Sequence, residues 1–250
     1  MNKLALSDDI LMQLDKPARY IGNELNMVKK DPSKVDIRFA MCFPDVYDIG
    51  MSHLGIQILY DMFNRREDTW CERVYSPWID LDKIMREKHI PLFTLESQDP
   101  VKEFDFLGIT LQFEMCYTNV LQVLDLSGIP LHSADRTLED PFVIGGGPCV
   151  YNPEPLAEFF DMFYIGEGEV VYDELLEAYK KWKRAGKSRK EFLEIKMELI
   201  YQLRKIGVNI NQIAKKYNEN LYTAPSAVLM DRMDRVEAIT KQIADTILKR

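Results

Sequence analysis

The chain has 250 residues, enough to bury a core of its own, and its 46% apolar and 29% charged composition excludes wholesale disorder. A formal net charge of −8 argues against a broad nucleic-acid surface while leaving room for a local basic patch. Four cysteines, Cys42, Cys71, Cys116 and Cys149, stand far apart beside apolar runs with no CxxC pair, which predicts buried reduced thiols and a cytoplasmic setting. The opening MNKLALSDDILMQLDKPARYIG carries acids inside its apolar part and no cleavage-like site, so no signal peptide is expected. No apolar run approaches the roughly 18 residues of a membrane span. A soluble protein with no membrane partner is the expectation.

In chain order, residues 7–14 read as a short amphipathic helix capped by Ser7 and ended by Pro17. The polar stretch ARYIGNELNMVKKDPSKV reads as an arm. VDIRFAMCF then suits a central strand stopped at Pro44, and Ser52 is placed to cap HLGIQILYDMFNRR, with Leu54, Ile58, Leu59 and Met62 at helical spacing. WCERVYSPW reads as a second strand, followed by the helix IDLDKIMREKH. IPLFTLES reads as a further short strand and FDFLGITLQFE as a third long one. YTNVLQVLDLSG is its helix, closed by Gly128. After the short extended piece IPLHSADR, PFVIGGG and MFYIGEGE are the fourth and fifth main strands, and VVYDELLEAYKKWKRAG is the closing helix, ended at Gly186. Strands alternating with helices of this length predict a doubly wound, Rossmann-like (flavodoxin-like) α/β parallel sheet of about five strands.

Past Gly186 the pattern changes to a lysine-rich helical stretch interrupted at Gly207 and then a second, amphipathic helix striped by Val228, Met233, Val236, Ile239, Ile243 and Ile247, neither with a strand partner. The expected divisions are an arm over 1–34, an α/β domain over 35–190 and a helical tail over 191–250. The tail could close on itself or add a helix from a second copy.

The two glycine turns dominate the site reading. Glycines at a strand end let backbone approach a flat or anionic ligand, although tight packing turns explain a bare GGG equally well. GxGxxG is absent after the first strand, where the loop reads FPDVYDIGMSHLG, and NAD is therefore disfavoured. His53 at the mouth of the first helix could meet a metal or a cofactor edge, or simply cap and pack. Glu114, Glu154, Glu167 and Glu169 fall at expected strand ends, but no nucleophile–base spacing accompanies them, and solvated loop acids are the plainer reading. No catalytic or metal-ligating set is assigned. Lys196, Arg204, Lys205, Lys215 and Lys216 could line a nucleic-acid face or a solvated helix face.

At KPARYIGNELN, VDIRFAMCFPDVYDIGMSHLGIQIL, LGITLQFEMCYTNVLQVLDLSGIPL, FVIGGGPCVYNPEPLAEFFD and IGEGEVVYDELL the chain resembles the N-terminal cobalamin-binding-type domain of B12-binding radical SAM proteins, over about residues 15–190. The resemblance implies a Rossmann-like sheet whose strand-end loops face a corrin. Gly145, Gly146, Gly147 and Pro148, with Gly166, Glu167, Gly168 and Glu169, would border the cofactor tail. Tyr47, Gly50, Ser52, His53, Gly55, Gln112 and Glu114 would complete the cofactor contacts. Cobalamin domains with DxHxxG place a cobalt-ligating histidine in the first loop; here Asp45-Val46-Tyr47-Asp48-Ile49-Gly50 has tyrosine in its place, which removes that ligand. The CxxxCxxC triplet of the radical SAM half is absent as well, so neither an iron–sulfur cluster nor an S-adenosylmethionine site is expected in this chain.

ELIYQLRKIGVNINQIAKKYNEN in turn resembles the tail of bacterial plasmid mobilisation (relaxosome accessory) proteins, which implies DNA or relaxase contact through 191–250. The resulting expectation is a cobalamin-binding module, truncated before its radical SAM domain, not catalytic alone, and served by a radical SAM domain supplied elsewhere. A mobilisation accessory protein acting through the tail is the alternative. A stand-alone enzyme using the strand-end carboxylates is a third.

Overall fold

The computed structural model describes residues 6–166 and 168–193. The chain divides into a unit ending at Lys180 and a second beginning at Lys181.

In the first unit, a short helix α1 (Asp8–Leu11) and an irregular arm lead into β1 (Ile37–Phe43), buried along its whole length and halted by Pro44. A one-turn helix α2 (Tyr47–Gly50) and α3 (Leu54–Asn64) return the chain to β2 (Thr69–Tyr75). Then follow α4 (Ile79–Lys88), β3 (Phe106–Thr110), α5 (Tyr117–Leu126), β4 (Phe142–Gly146), β5 (Met162–Phe163) and α6 (Gly168–Ala185). The described strands form one all-parallel sheet in the order β2-β1-β3-β4-β5, flavodoxin/Rossmann-like as the alternation of strands and helices predicts.

Register divides the side chains between two layers. Phe39 lies beside Cys71 of β2 and Phe106 of β3, and Phe106 beside Phe142 of β4. This aromatic face packs on α3 and α6: the Phe39 ring lies 4.6 Å from Phe63, and the Phe106 ring 4.5 Å from Tyr179. The opposite face sets Ala40, Cys42, Leu107, Ile109 and Val143 in one cluster with residues of α4 and α5. Each fully buried large apolar side chain contributes about 1.5–3 kcal/mol to this sandwich. The chain leaves β1 through α3 to one side and comes back through α4 to β3 on the other. The crevice at which an open sheet accepts ligands therefore falls between β1 and β3.

The outer border of β2 is covered by side chains and by one neighbouring backbone amide. Lys30 donates to the Thr69 carbonyl at 2.6 Å, and Asn64 bonds both the amide and the carbonyl of Cys71. The Glu96 carboxylate accepts from the Arg73 amide, and the Leu95 amide donates to the Arg73 carbonyl at 2.9 Å. Glu96 also accepts from the buried Arg73 guanidinium at 2.7 Å; burial pushes its carboxyl up to about 7, against the pull of Arg73. On the other face of β2, Glu72 accepts from Arg38 at 2.5 Å, from Thr94 at 2.7 Å and from the Ser97 amide at 2.9 Å.

Several expectations need correction. IPLFTLES forms no strand: its one bridge joins Phe93 and Pro100, while the Leu92, Thr94 and Leu95 amides donate to Leu126, Asp99 and Arg73. The segment is extended and buried, but its partners are a helix end, its own turn and the border of β2. The buried stripe of α3 is Ile56, Tyr60 and Phe63, whereas Leu54 is 71% and Ile58 40% exposed. The third strand spans five residues and the fifth only two. Within IPLHSADR, Ser133–Asp135 is a 3-10 turn. Gly128 and Gly186 do take left-handed conformations after their helices, at φ +64° and +63°.

In the second unit, the Trp182 indole donates to the Ser188 carbonyl at 2.8 Å and its ring lies 5.2 Å from Phe192. Ser188 and Glu191 exchange backbone and side-chain bonds in a capping box, and residues 189–193 are helical. The two tail helices expected from the sequence lie almost wholly outside the described residues, as do the five tail cations. Among the described residues no helix is long and apolar enough to cross a membrane.

Candidate functional site

The parallel sheet brings the loops after β1, β3, β4 and β5 to one edge. Across the crevice, Asn119 at the start of α5 donates to the carbonyl of Pro44 at 2.9 Å, which ties the β1 and β3 loops together.

The three glycines at the end of β4 have different work. A Cβ on Gly145 would lie 2.6 Å from the Phe163 ring, so packing between β4 and β5 demands the glycine. Gly147 has φ +95°, and its Cβ would lie 2.8 Å from the Leu111 carbonyl oxygen, so the turn demands it. Gly146 is under neither constraint: its Cβ would meet nothing within 4 Å. Pro148 opens the 3-10 turn Pro148–Tyr151. After β5, Gly166 has φ +139° and Gly168 begins α6 with its Cβ direction 3.3 Å from Leu59; Glu169 lies in the first turn of that helix, and Glu167 is outside the described residues.

The β1 loop is more tightly committed than its sequence suggests. Gly50 is buried where a Cβ would lie 2.4 Å from the Tyr75 ring. Ser52 does not cap α3; its hydroxyl donates to Ile49 at 2.9 Å. His53 is the cap, its Nδ1 accepting from the Ile56 amide at 3.3 Å while its ring packs 5.2 Å from Phe43. For Nε2 to take a metal, the ring proton would have to move to Nδ1 at the expense of this cap. Gly55 lets the chain pass this ring, since its Cβ would lie 2.9 Å from His53 Cε1. The Tyr47 ring meets Tyr75 edge-on at 5.5 Å; burial, reinforced by Glu24, pushes its hydroxyl up to about 12, so it keeps its proton.

In the β3 loop, Gln112 donates to the Thr110 hydroxyl at 2.7 Å and Glu114 is exposed. Glu154 is also exposed, on a separate turn, while Glu114 lies close enough to the half-buried Cys149 to add to burial in pushing that thiol's pKa up. The same edge carries exposed apolar side chains: Phe113 40%, Met115 85%, Tyr151 76% and Ile165 39%. Cys42, Cys71 and Cys116 are buried, Cys149 is half-buried, and all four are free thiols. Among the described residues no three His, Cys, Asp or Glu side chains gather to hold a metal ion.

Sequence reasoning overlooked the contacts between the arm and this loop. Lys16 and Arg19 both bind Asp48, and Glu24 binds Arg73. The signal available was the pair of charges inside the apolar strand WCERVY, which can be buried only with partners from elsewhere. A shallow groove of about 420 Å³, lined by Lys30, Lys34, Asn64 and Arg66 among others, lies at the opposite, amino end of the strands. Its cations are engaged: Lys30 donates to three carbonyls, and Arg66 pairs with Asp68, Asp173 and Glu177.

A doubly wound parallel sheet in the order β2-β1-β3-β4-β5, with a glycine-lined carboxyl edge, defines a flavodoxin/Rossmann-like α/β domain. The chain belongs to the family of N-terminal domains of radical SAM proteins, whose profile matches residues 55–202. Residues 200–245 are similar to bacterial mobilisation protein (MobC). The chain is also similar to an uncharacterized protein of Methanocaldococcus jannaschii, 29% identical over 132 residues, covering 52% of this chain and 24% of that protein. It thus spans about a quarter of that relative's length. No solved structure matches the chain.

Proposed function

We propose that this chain is the corrinoid-binding module of a radical SAM protein. The observation that carries the reading is the open space at Gly146, at the end of β4 and beside a turn that Gly147 alone permits. A corrin is broad and flat, with methyl groups and amide side chains around its rim, and is accommodated by bare backbone at a strand edge flanked by apolar side chains and amide partners. Gly146 with Phe113, Met115 and Tyr151 fits that demand. Backbone of Gly145 to Pro148 and the start of α6 would border the nucleotide tail, and Gln112 would offer an amide at the rim.

The fit is to a corrinoid without a protein ligand on cobalt. Tyr47 keeps its proton, and His53 spends Nδ1 on its helix cap. When bound, the corrinoid supplies a cobalt centre able to carry an alkyl group. The chain's own residues bind and orient it through burial and loop shape. A radical SAM domain supplied elsewhere is the partner this reading requires.

Absorbance titration of the purified protein with hydroxocobalamin and methylcobalamin tests it, with Gly146→Trp as the blocked control. A corrin band that shifts with wild type and not with an equally folded Gly146→Trp supports the module. An unshifted band with folded wild-type protein overturns it.

The MobC-like match over 200–245 favours a second reading for the tail, contact with DNA or relaxase. Phosphate contacts release counterions, so DNA binding would weaken steeply between about 50 and 200 mM salt. Corrinoid binding would not.

A further inference from the structure

The arm over residues 15–24 makes bonds that a polar linker has no need of. The Asp15 amide donates to Asp80 at 2.9 Å, and the Tyr20 hydroxyl accepts from the Trp78 amide at 3.0 Å, both in the segment after β2. Gly22, at φ +62°, passes so close to the Leu95 carbonyl that a Cβ would lie 2.4 Å from its oxygen. Glu24 ends the run on Arg73 at 2.9 Å. Between these anchors, Lys16 takes one oxygen of Asp48 at 3.2 Å and Arg19 the other at 2.5 Å.

The two cations differ in weight. Lys16 is 54% exposed, and an ion pair in water contributes little. Arg19 is only 11% exposed, its guanidinium 5.7 Å from the Trp78 ring centre, so although Asp48 itself is 42% exposed the cation is held in place and its contact is directional. Asp48 is the second residue of α2, a single turn that isolated chain would not hold. That turn carries Tyr47 and Gly50 and leads directly into His53.

We propose that Arg19 is a positioning residue: through Asp48 it straps the β1–α3 loop into the shape that the ligand at this edge meets. The identity of that ligand rests on the corrinoid reading; the strap does not. A loop held in its binding shape before the ligand arrives loses less entropy on binding, so releasing it weakens affinity.

Amide hydrogen exchange and hydroxocobalamin titration on wild type, Arg19→Ala and Arg19→Lys test this. The Ile49, Gly50 and Met51 amides, bonded to the Val46 and Tyr47 carbonyls, report the loop. In Arg19→Ala they should exchange about tenfold faster while β3 amides stay unchanged, because the opening is local. Hydroxocobalamin should bind about tenfold more weakly, and Arg19→Lys, with the charge but no planar fork, should recover part of both losses. Unchanged loop exchange overturns the proposal, as does a rise shared by β3, which would mean that Arg19 merely stabilises the fold. A faster loop with undiminished corrinoid affinity also overturns it. A faster loop in a protein whose wild type binds no corrinoid upholds the strap and removes the cofactor reading instead.

Discussion

Asn119 and Pro44, 75 positions apart, meet across the crevice at the carboxyl ends of β1 and β3, the side-chain amide of one donating to the carbonyl of the other at 2.9 Å. Proline ends β1, and its carbonyl finds a partner only because α5 begins at the neighbouring strand. Asn119→Leu leaves that oxygen without its donor and should destabilise the protein by about 1–3 kcal/mol. Urea unfolding measures it: a lowered midpoint at unchanged slope is expected, and an unmoved midpoint would show that solvent takes over the bond.

The adjacent glycines of β4 should part company under the same substitution. Gly147→Ala forces a Cβ against the Leu111 carbonyl at a φ of +95°, at a cost of roughly 1–3 kcal/mol. Gly146→Ala meets open space and should leave the thermal midpoint within a degree or two of wild type. Equal losses at both positions would contradict the division of labour between them.

Burial separates the ion pairs by weight. Glu72 is fully buried and engages Arg38, Thr94 and Ser97, while Arg38 also has two nitrogens with no hydrogen-bond partner. Glu72→Ala should therefore cost about 3 kcal/mol, since it leaves the Thr94 hydroxyl and the Ser97 amide without their acceptor and Arg38 with Asp99 as its one remaining carboxylate. Glu87→Ala, at the exposed pair with Lys83, should cost about 0.5 kcal/mol or less. Differential scanning calorimetry of the two variants gives the comparison.

Acid should act through Asp68. Partial burial alone would raise this carboxyl, but hydrogen bonds from Arg66 and Lys180 outweigh it and hold the group well below its ordinary 3.8. Below that ordinary value the unfolded chain takes up the proton first, so the stability this carboxylate lends is intact above pH ~4 and drains away as pH falls further. The thermal midpoint of wild type should drop more steeply below pH ~4 than that of Asp68→Asn. Parallel curves would deny Asp68 its role.

Much of the sheet was legible because local signals agreed with the global fold. Pro44, Gly128 and Gly186 stop their elements where expected, and the alternation of strands and helices predicts the parallel sheet. Where the chain was misread, two solutions share one local pattern. In α3 the set Leu54, Ile58, Leu59 and Met62 and the set Ile56, Tyr60 and Phe63 both recur at helical spacing, and only the aromatic face of the sheet selects the second. IPLFTLES has the composition of a strand, but composition does not say whether a ladder lies alongside. His53 displaced Ser52 as cap because helix entry depends on one backbone turn, which residue type alone leaves open. The ties of Asp48 to Lys16 and Arg19 were invisible for a related reason: surface charges announce no partner until the fold brings one within reach.

The covered border of β2 has a bearing on how this protein behaves at high concentration. A bare outer strand is a template onto which another chain can zip, the usual beginning of fibrils and swapped dimers. Here Lys30, Asn64, Glu96 and the Leu95 amide fill that template from within the same chain, and at the far border β5 offers only two residues to copy. Among the described residues, growth by strand addition is thus blocked along β2 and left with only a two-residue edge at β5, which favours recognition of a companion molecule by side chains and shape.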